Sequence, residues 1–250
     1  MTAEWTQAVR QRLGVGRLLP LGGSRDGAWI SEQAAGAVLG SAATDEVPGV
    51  RLGTLRIGLA DPAEAREPVV PPPPSALPPG ALRVTADFAA TAERPLPETA
   101  ERLRTVLADA AARRLGLAVT EVDLRVTDLL GPAEPEPEPR RAPGPPSAAE
   151  AKDPDGYLVA TAARAVAGVT RLTSVLGDRC GVVRTERPAV PASLPRRHVC
   201  VELAADPAHR TVDVARAVRT AVRDALEDHP TVAVLVTAVE EPEAEAGPVM

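Results

Sequence analysis

ERLRTVLADA at residues 101–110 and RAVRTAVRDA at residues 216–225 are nearly the same decamer, written twice in one chain. In both, an Arg-Thr pair is followed, after three further residues, by Asp-Ala. Apolar residues recur at helical spacing, as Leu103 and Leu107 do in the first copy. This spacing predicts that each decamer lies in an amphipathic helix with one face against a core.

The similarity between the two halves extends beyond the decamers. Three further pairs of segments correspond in the same order: VPGVRL (47–52) with VAGVTRL (166–172), LRVTADFAA (82–90) with HVCVELAA (198–205), and VDLRVTDL (122–129) with VAVLVTAV (232–239). The loops between them differ in length while the order of the segments is kept. We therefore predict that the chain contains a duplicated domain.

Alternating apolar and polar residues predict strands in both copies. In the first, Leu82, Val84, Ala86 and Phe88 alternate with polar residues, which is typical of a half-buried strand. In the second, the same alternation places one set of side chains toward the core and the other set outward. The inward set is Val199, Val201 and Leu203, and the outward set is His198, Cys200 and Glu202.

Each copy is therefore predicted to fold as helix, strand, strand, helix and strand, with a short opening strand at residues 28–31 in the first. We predict an α+β fold of two tandem two-layer modules, each a small sheet with two helices on one face and a more polar opposite face. The apolar segment at residues 232–239 is expected either to be central in its sheet or to pack against the other copy.

The predicted boundaries follow the composition. They are an N-terminal amphipathic helix and connection (1–27), a first module (28–130) with a Pro-rich insert (67–81), a Pro/Glu-rich linker (131–156), a second module (157–240) and an acidic tail (241–250). The Gly-containing segment at residues 14–23 is expected to be a turn-rich connection. The Pro-rich segments are expected to be extended spacers outside the packed core.

Composition and charge limit the classes of function. Of 250 residues, 44% are hydrophobic but only 2% are aromatic, so the core must be aliphatic. The net charge of −6 disfavours nucleic acid, because a nucleic-acid binder needs a basic surface. The longest strongly apolar run, TVAVLVTAV, is far shorter than the roughly 20 residues of a membrane-spanning helix. Because Glu4 and Gln7 also interrupt any signal-peptide core, we expect a cytoplasmic protein.

No catalytic, cofactor or metal site is predicted. His198 and Cys200 lie two positions apart and, with Cys180 or His209, are weak candidates for zinc ligands, because the close ligand pairs of zinc sites are absent. The two cysteines do not form a disulfide framework. The sequence also lacks a G-x-S-x-G nucleophile turn and a phosphate-binding G-x-x-x-x-G-K motif. The chain is therefore predicted not to be an enzyme and to use no cofactor.

Residues 28–52, AWISEQAAGAVLGSAATDEVPGVRL, resemble the opening of the alkaline shock protein family, also called envelope stress response or general stress proteins. The family's V-P-G-V signature corresponds to residues 47–50 and, as VAGV, to residues 166–169. Residues 218–226 and 234–239 resemble its second helix and closing strand. The whole chain therefore resembles a divergent version of this family in which the domain occurs twice in tandem. The resemblance implies a non-enzymatic protein of cell-envelope homeostasis, a family that often acts through a membrane-anchored partner, and it supplies no catalytic residues. The composition, with many Arg, one Lys and no Asn, is typical of a GC-rich bacterial genome.

Two segments are candidates for partner binding. Trp5, Val9 and Leu13 lie at helical spacing and would form an amphipathic helix that lies on a membrane, docks on a partner, or packs on its own first module. A second stripe, Arg216, Arg219 and Arg223, would face an acidic partner or an anionic surface. The alternative for this stripe is a solvated face that nearby acidic residues partly neutralise.

The favoured function is a non-enzymatic interaction or scaffold protein that binds a protein partner and lies in the cytoplasm, at the inner face of the membrane if that partner is anchored there. Self-association is left open. One alternative is an RNA-binding protein, although the strands lack the aromatic residues that would stack on bases. Another is an enzyme whose site the sequence does not reveal.

Overall fold

The computed structural model describes residues 16–131, 144–149, 153–176, 183–186 and 196–242. Four α-helices and nine strands lie within these ranges, so the α+β prediction is confirmed. The elements are β1 (Leu18–Leu21), β2 (Ala28–Ser31), α1 (Glu32–Glu46), β3 (Val50–Leu59), β4 (Leu82–Thr91), α2 (Leu96–Ala110), β5 (Val119–Leu130), α3 (Pro154–Arg164), β6 (Val169–Leu172), β7 (Val183–Glu186), β8 (Arg196–Ala205), α4 (Thr211–Ala225) and β9 (Thr231–Val239).

The strands form two sheets. The smaller has the order β3-β4-β5, and the larger has the order β1-β2-β9-β8-β6, with β7 also paired to β8. In both sheets the middle strand pairs antiparallel with a strand before it and parallel with the strand that follows the long helix: β4 with β5, and β8 with β9. The two decamers lie in α2 and α4, the helices that make these parallel crossovers.

The opening strand predicted at residues 28–31 forms, but it lies in the larger sheet. It pairs parallel with β9, with Ala28 opposite Val234 and Ile30 opposite Val236, and β1 pairs antiparallel with it. Residues 18–31 therefore contribute two strands to the sheet that is otherwise built by the second copy. β9 is flanked by β2 and β8, and this central position explains why its sequence is apolar on both faces.

The segment at residues 14–23 was predicted to be a turn-rich connection, and this was wrong for its second half. Residues 18–21 form β1, in which all four residues are buried. The reason is apolar burial, since Leu18, Leu19 and Leu21 are at most 3% exposed. Pro20 is compatible with this strand because β1 is at the edge of the sheet, where a missing N–H leaves no partner unsatisfied.

A single hydrophobic cluster runs through both halves of the molecule. The predicted stripes of α2 and α4 face this core, as shown by the fully buried Leu103, Leu107, Val218 and Val222. The fully buried Phe88 of β4 supplies the largest ring in it. Side chains from helices of both copies therefore pack in one shared core.

The face of the larger sheet opposite the helices was predicted to be more polar, with residues 198, 200 and 202 directed outward, but these residues are buried. Residues 198, 200 and 202 on that face are at most 9% exposed. A second apolar cluster covers the sheet there: Leu18, Trp29, Val70, Val175, Ala233 and Leu235. The central strand β9 contributes two of these residues, so its second apolar face is used as well.

The Pro-rich insert at residues 67–81 was expected to be a spacer outside the core, but it packs against this sheet. Val70 is 2% exposed, and the Trp29 indole N–H donates to the Leu77 carbonyl oxygen at 3.2 Å. The Leu77 N–H donates in turn to the Leu18 carbonyl oxygen at 2.8 Å. The insert can bind because apolar side chains are interspersed among its prolines.

Part of the linker between the two copies is also attached to the larger sheet. The Ala148 N–H donates to the Leu172 carbonyl oxygen at 3.0 Å, beside β6. The Arg171 guanidinium donates to the Pro145 carbonyl oxygen at 2.9 Å and to Glu240 at 2.6 Å. Residues 144–149 therefore follow the edge of the sheet instead of extending away from it.

Candidate interaction surface

The predicted metal candidates do not form a site in the structure. Within the described ranges, no group of three His, Cys, Asp or Glu residues is close enough to hold a metal ion. The His198 Nδ1 atom is 2.9 Å from the Thr231 hydroxyl oxygen. The two cysteines were not predicted to form a disulfide framework, yet Cys200 takes part in a disulfide bond; Cys180, the other cysteine of the chain, lies outside the described residues. The Cys200 thiolate is therefore not available as a ligand.

A cavity of about 430 Å³ lies between the two halves. Three of its ionisable lining residues, Arg114, His209 and Glu240, each lie beside an oppositely charged group. Arg114 is 2.9 Å from Glu46, His209 is 3.6 Å from Asp206, and Glu240 is paired with Arg171. The two lining hydroxyls are bonded to other groups, Ser41 to the Asp45 carboxylate and Thr211 to the Arg114 carbonyl oxygen, so among the described residues neither is bonded to an acid or base of this lining. The cavity therefore gives no basis for an enzymatic assignment.

The predicted arginine stripe on α4 lies against the turn that joins β1 to β2. Arg216 forms a bidentate ion pair with Asp26, with Nε–Oδ1 and Nη2–Oδ2 distances of 2.9 and 3.0 Å. The Arg219 guanidinium donates to the Arg25 carbonyl oxygen. Arg223, at the end of the stripe, pairs with its neighbour Asp224. Two of the three arginines are thus used to fix the N-terminal hairpin on the last helix.

The electrostatics of this contact are consistent with a stable pair. The hydrogen bond from Arg216 holds the pKa of Asp26 below its ordinary value, and Asp26 correspondingly raises the pKa of Arg216. The Gly23 N–H also donates to the Asp26 carboxylate at 2.7 Å. Charge-assisted bidentate bonds of this kind combine energy with a defined geometry. The hairpin composed of β1 and β2, hereafter the N-terminal hairpin, is therefore held at one orientation.

The other predicted partner-binding residues, Trp5, Val9 and Leu13, lie outside the described residues. None of the helices in the described part of the chain is long and apolar enough to cross a bilayer.

The smaller sheet differs from the larger one in that its last strand has an open edge. β5 ends the order β3-β4-β5, whereas its counterpart β9 carries β2 on the corresponding side. Along the chain that the structure describes, no strand pairs with the outer edge of β5. β5 is also long, with 12 residues, while strands of about five or six residues are usual.

The backbone groups that face this open edge can be identified from the pairing with β4. The Leu82 N–H donates to the Ala118 carbonyl oxygen, and the register then passes a bulge before Val84 lies opposite Val122. Since N–H and C=O groups alternate in direction along a strand, residues 121, 123 and 125 bond to β4 and residues 122, 124 and 126 face outward. An Arg104 side chain bonded to the Val122 carbonyl oxygen at 3.3 Å confirms that this group points away from β4.

The side chains of β5 are more exposed than those of the other long strands. On the face that packs against the helices, Val126 is 41% exposed. Near the end of the strand, Leu129 is 58% exposed. On the opposite face, the Asp123 and Arg125 side chains are 64% and 74% exposed. Apolar and charged residues thus alternate along an accessible edge, and we define this outer edge, with residues 121–129, as the β5 edge.

Sequence reasoning did not identify the β5 edge, although a signal was present. VDLRVTDL at residues 122–129 has charged residues where the matching VAVLVTAV has only apolar residues and one Thr. A central strand is apolar on both faces, so the more polar copy indicates the strand with less cover. The contrast between the two copies, more than either segment alone, identifies the exposed strand.

Comparison with known proteins gave no relative of this chain. No family model, no curated protein and no solved structure matches it.

Proposed function

We propose that this protein is a non-enzymatic interaction protein whose binding surface is the β5 edge. The observation that carries the proposal is the difference between two matching strands. β9 is covered on one side by β2 and on the other by β8, whereas β5 has only β4 beside it among the described residues. A row of outward backbone N–H and C=O groups on a long strand is a template for a further strand.

Features of β5 make such pairing selective. Its register with β4 shifts at two bulges, one near each end, so only the stretch between them presents a regular edge. Charged side chains alternate with apolar ones along that stretch, and a partner strand must match both patterns. Unselective aggregation is disfavoured because a strand with like charges at the facing positions would be repelled.

The proposed cellular role is in cell-envelope homeostasis, on the cytoplasmic side. Its support is the resemblance of residues 28–52 to the alkaline shock protein family, together with the order of elements that both copies share. In this proposal the β5 edge binds a protein partner, and any attachment to the membrane is made through that partner.

A site-specific photo-crosslinking experiment in cells tests the interaction. A photoreactive amino acid replaces Leu129 on β5, and a matched variant carries it at Leu158, an exposed leucine on α3 that is 45% exposed. We expect protein crosslinks from position 129 and few from position 158. Equal yields at the two positions, or none at 129, would contradict the proposal.

Separation of membrane and soluble fractions after crosslinking tests the envelope assignment. We expect crosslinked products of position 129 to include a species that sediments with membranes. If all products stay in the soluble fraction, the envelope role fails while the interaction surface stands. Crosslinking to RNA from either position would favour the RNA-binding alternative.

A further inference from the structure

We infer that the β5 edge pairs with the β5 edge of a second copy of the chain, antiparallel and related by a two-fold axis through Leu124. The inference rests on the proposed function and names one partner for the same surface. A two-fold contact requires that the surface be complementary to itself. The backbone, the charges and the apolar residues of β5 each meet this requirement in one register.

The backbone requirement is met because Leu124 lies in the middle of the outward-facing set. With the axis at Leu124, Leu124 pairs with Leu124 of the second copy and Val122 pairs with Val126 in both directions. All three residues direct their N–H and C=O groups to the open edge, so these are hydrogen-bonded pairs. The Arg104 bond to the Val122 carbonyl oxygen leaves that oxygen a second lone pair.

The charges are complementary in this register. Asp123 of each copy faces Arg125 of the other, so two opposite-charge pairs form across the axis. Within one chain, Arg125 is 2.8 Å from Asp87 and Asp123 is 3.5 Å from Arg83. Pairing therefore extends these contacts into a continuous row of alternating charge: Arg83 and Asp123 of one copy, then Arg125 and Asp87 of the other.

Neighbouring registers are less favourable. An axis through Asp123 would place the two copies of that carboxylate opposite each other, and an axis through Arg125 would do the same with two guanidinium groups. Directly opposed like charges destabilise a strand pair. With the axis at Leu124, the apolar residues also meet each other on the face that packs against the helices, where the exposed Val126 of each copy lies beside the Val122 of the other, which already packs on the core.

The strands in the described part of the chain do not supply an alternative occupant. β2 fills the corresponding position in the larger sheet, where its residues 28–30 are paired with β9 and its helix side is anchored in the core. The turn before it is bound to α4 through Arg216. Of the described strands, none remains to cover β5, and a second copy offers the strand whose charge pattern is complementary to it.

Sedimentation analysis of the purified full chain with two charge-reversal variants tests the pairing. Asp123→Arg places an arginine opposite Arg125 of the second copy, and Arg125→Asp places an aspartate opposite Asp123. We expect the wild type to form a concentration-dependent dimer and each single variant to raise the dimer dissociation constant at least about tenfold. Mixing the two variants in equal amounts should restore the dimer, because all facing pairs then have opposite charge.

Recovery of the dimer on mixing is informative because an unfolded variant could not restore dimerisation. Circular dichroism and the melting temperature of each variant check the fold. A third variant, Val126→Pro, removes an outward N–H that β4 does not use, a change that edge strands tolerate, and it should also abolish the dimer.

Three outcomes would overturn the inference: a monomeric wild type at all concentrations, dimers in both single variants, or no recovery on mixing. If the wild type is monomeric yet position 129 crosslinks to a different protein in cells, the second copy is excluded and the proposed function stands. If neither dimer nor crosslink forms, both fail.

Discussion

Asp26, in the turn of the N-terminal hairpin, and Arg216, on the last helix, are 190 positions apart in the chain and form a bidentate ion pair. This pair fixes the opening of the chain on the helix that precedes its closing strand. The larger sheet is therefore assembled from both ends of the sequence. Its stability depends on a contact that neither copy could make alone.

Replacement of Asp26 should loosen the hairpin without unfolding the protein. Asp26→Asn removes the charge from the pair with Arg216, and because that guanidinium is about half exposed we expect a loss of only about 1 kcal/mol of unfolding free energy. Hydrogen exchange at the amides of β1 and β2 should accelerate. Asp224→Asn is the control, because Asp224 forms an ion pair with its neighbour Arg223 on an exposed surface. This substitution should change neither the unfolding free energy nor the hydrogen exchange of β1 and β2.

The effect of Asp26 should depend on pH. Its pKa is lower in the folded protein than in the unfolded chain, so its contribution is present above the ordinary carboxyl value and is lost as the pH falls through the folded pKa. Wild type and Asp26→Asn should therefore converge in stability at strongly acidic pH. A difference that stays constant down to that range would show that the charge is not what matters.

Glu202 should give the opposite pH dependence. It is 3% exposed on β8, and burial raises its pKa to about 7 although it accepts N–H bonds from Val175 and Leu176. Since the folded protein holds this proton more tightly than the unfolded chain, the stabilisation is fully present below the unfolded pKa and is lost as the pH rises through 7. The loss between these values amounts to about 3 kcal/mol.

Urea unfolding of wild type and Glu202→Gln at pH 5 and pH 8 measures this contribution. The wild type should lose stability between pH 5 and pH 8, and the variant should lose about 2 kcal/mol less, because the unfolded carboxyl is already mostly ionised at pH 5. Glu227→Gln, at an exposed position after α4, should behave as the wild type. Equal pH dependence in wild type and Glu202→Gln would show that the carboxylate is already charged in the folded protein at neutral pH.

Gly116 should be intolerant of a side chain. It ends the helical segment after α2 with a φ of 88°, and a Cβ there would lie 2.3 Å from a Val212 methyl group on α4. Both the left-handed backbone and the contact oppose substitution, so Gly116→Ala should lower the free energy of unfolding, measured by chemical denaturation, by at least about 1 to 2 kcal/mol.

Gly40→Ala is the matched control with the opposite expectation. A side chain at this position of α1 meets open space, so alanine should stabilise the helix by up to about 1 kcal/mol.

Glu32 should be more important for stability than its neighbour Gln33. The Glu32 carboxylate is buried at the start of α1 and accepts the Ile57 N–H of β3 at 2.9 Å. Glu32→Ala leaves that buried N–H without its acceptor and should cost about 1 to 3 kcal/mol. Gln33→Ala, at an exposed position one residue later, should change the melting temperature little. Similar effects at both positions would contradict this role.

Local patterns in the sequence predicted the elements well. The alternation in β4, the helical stripes of α2 and α4 and the repeated order of segments follow from residues close in the chain, where periodicity reports directly on which face is buried. The packing of the Pro-rich insert on the larger sheet could not be predicted from these patterns, for a physical reason. Val70 and Leu77 sit in a Pro-rich insert whose composition indicates an extended segment but cannot indicate the surface on which it lies.

The arginine stripe illustrates the same limit at the candidate site. Its helical spacing correctly placed Arg216 and Arg219 on one face of α4, but the carboxylate and carbonyl that receive them come from the other end of the chain. The β5 edge was also beyond prediction from a single copy. Its exposure depends on which strand β2 joins, and that choice is a long-range pairing.

The sequence by itself determined the α+β class, the order of helices and strands within each copy and the core-facing stripes of the helices, because these depend on propensity and on periodicity over a few residues. Only the tertiary structure decided that β2 joins β9, that the Pro-rich insert covers the larger sheet and that β5 keeps an open edge. These outcomes depend on competition between distant surfaces for the same apolar faces and strand edges. Periodicity over a few residues does not determine which of these distant surfaces pair.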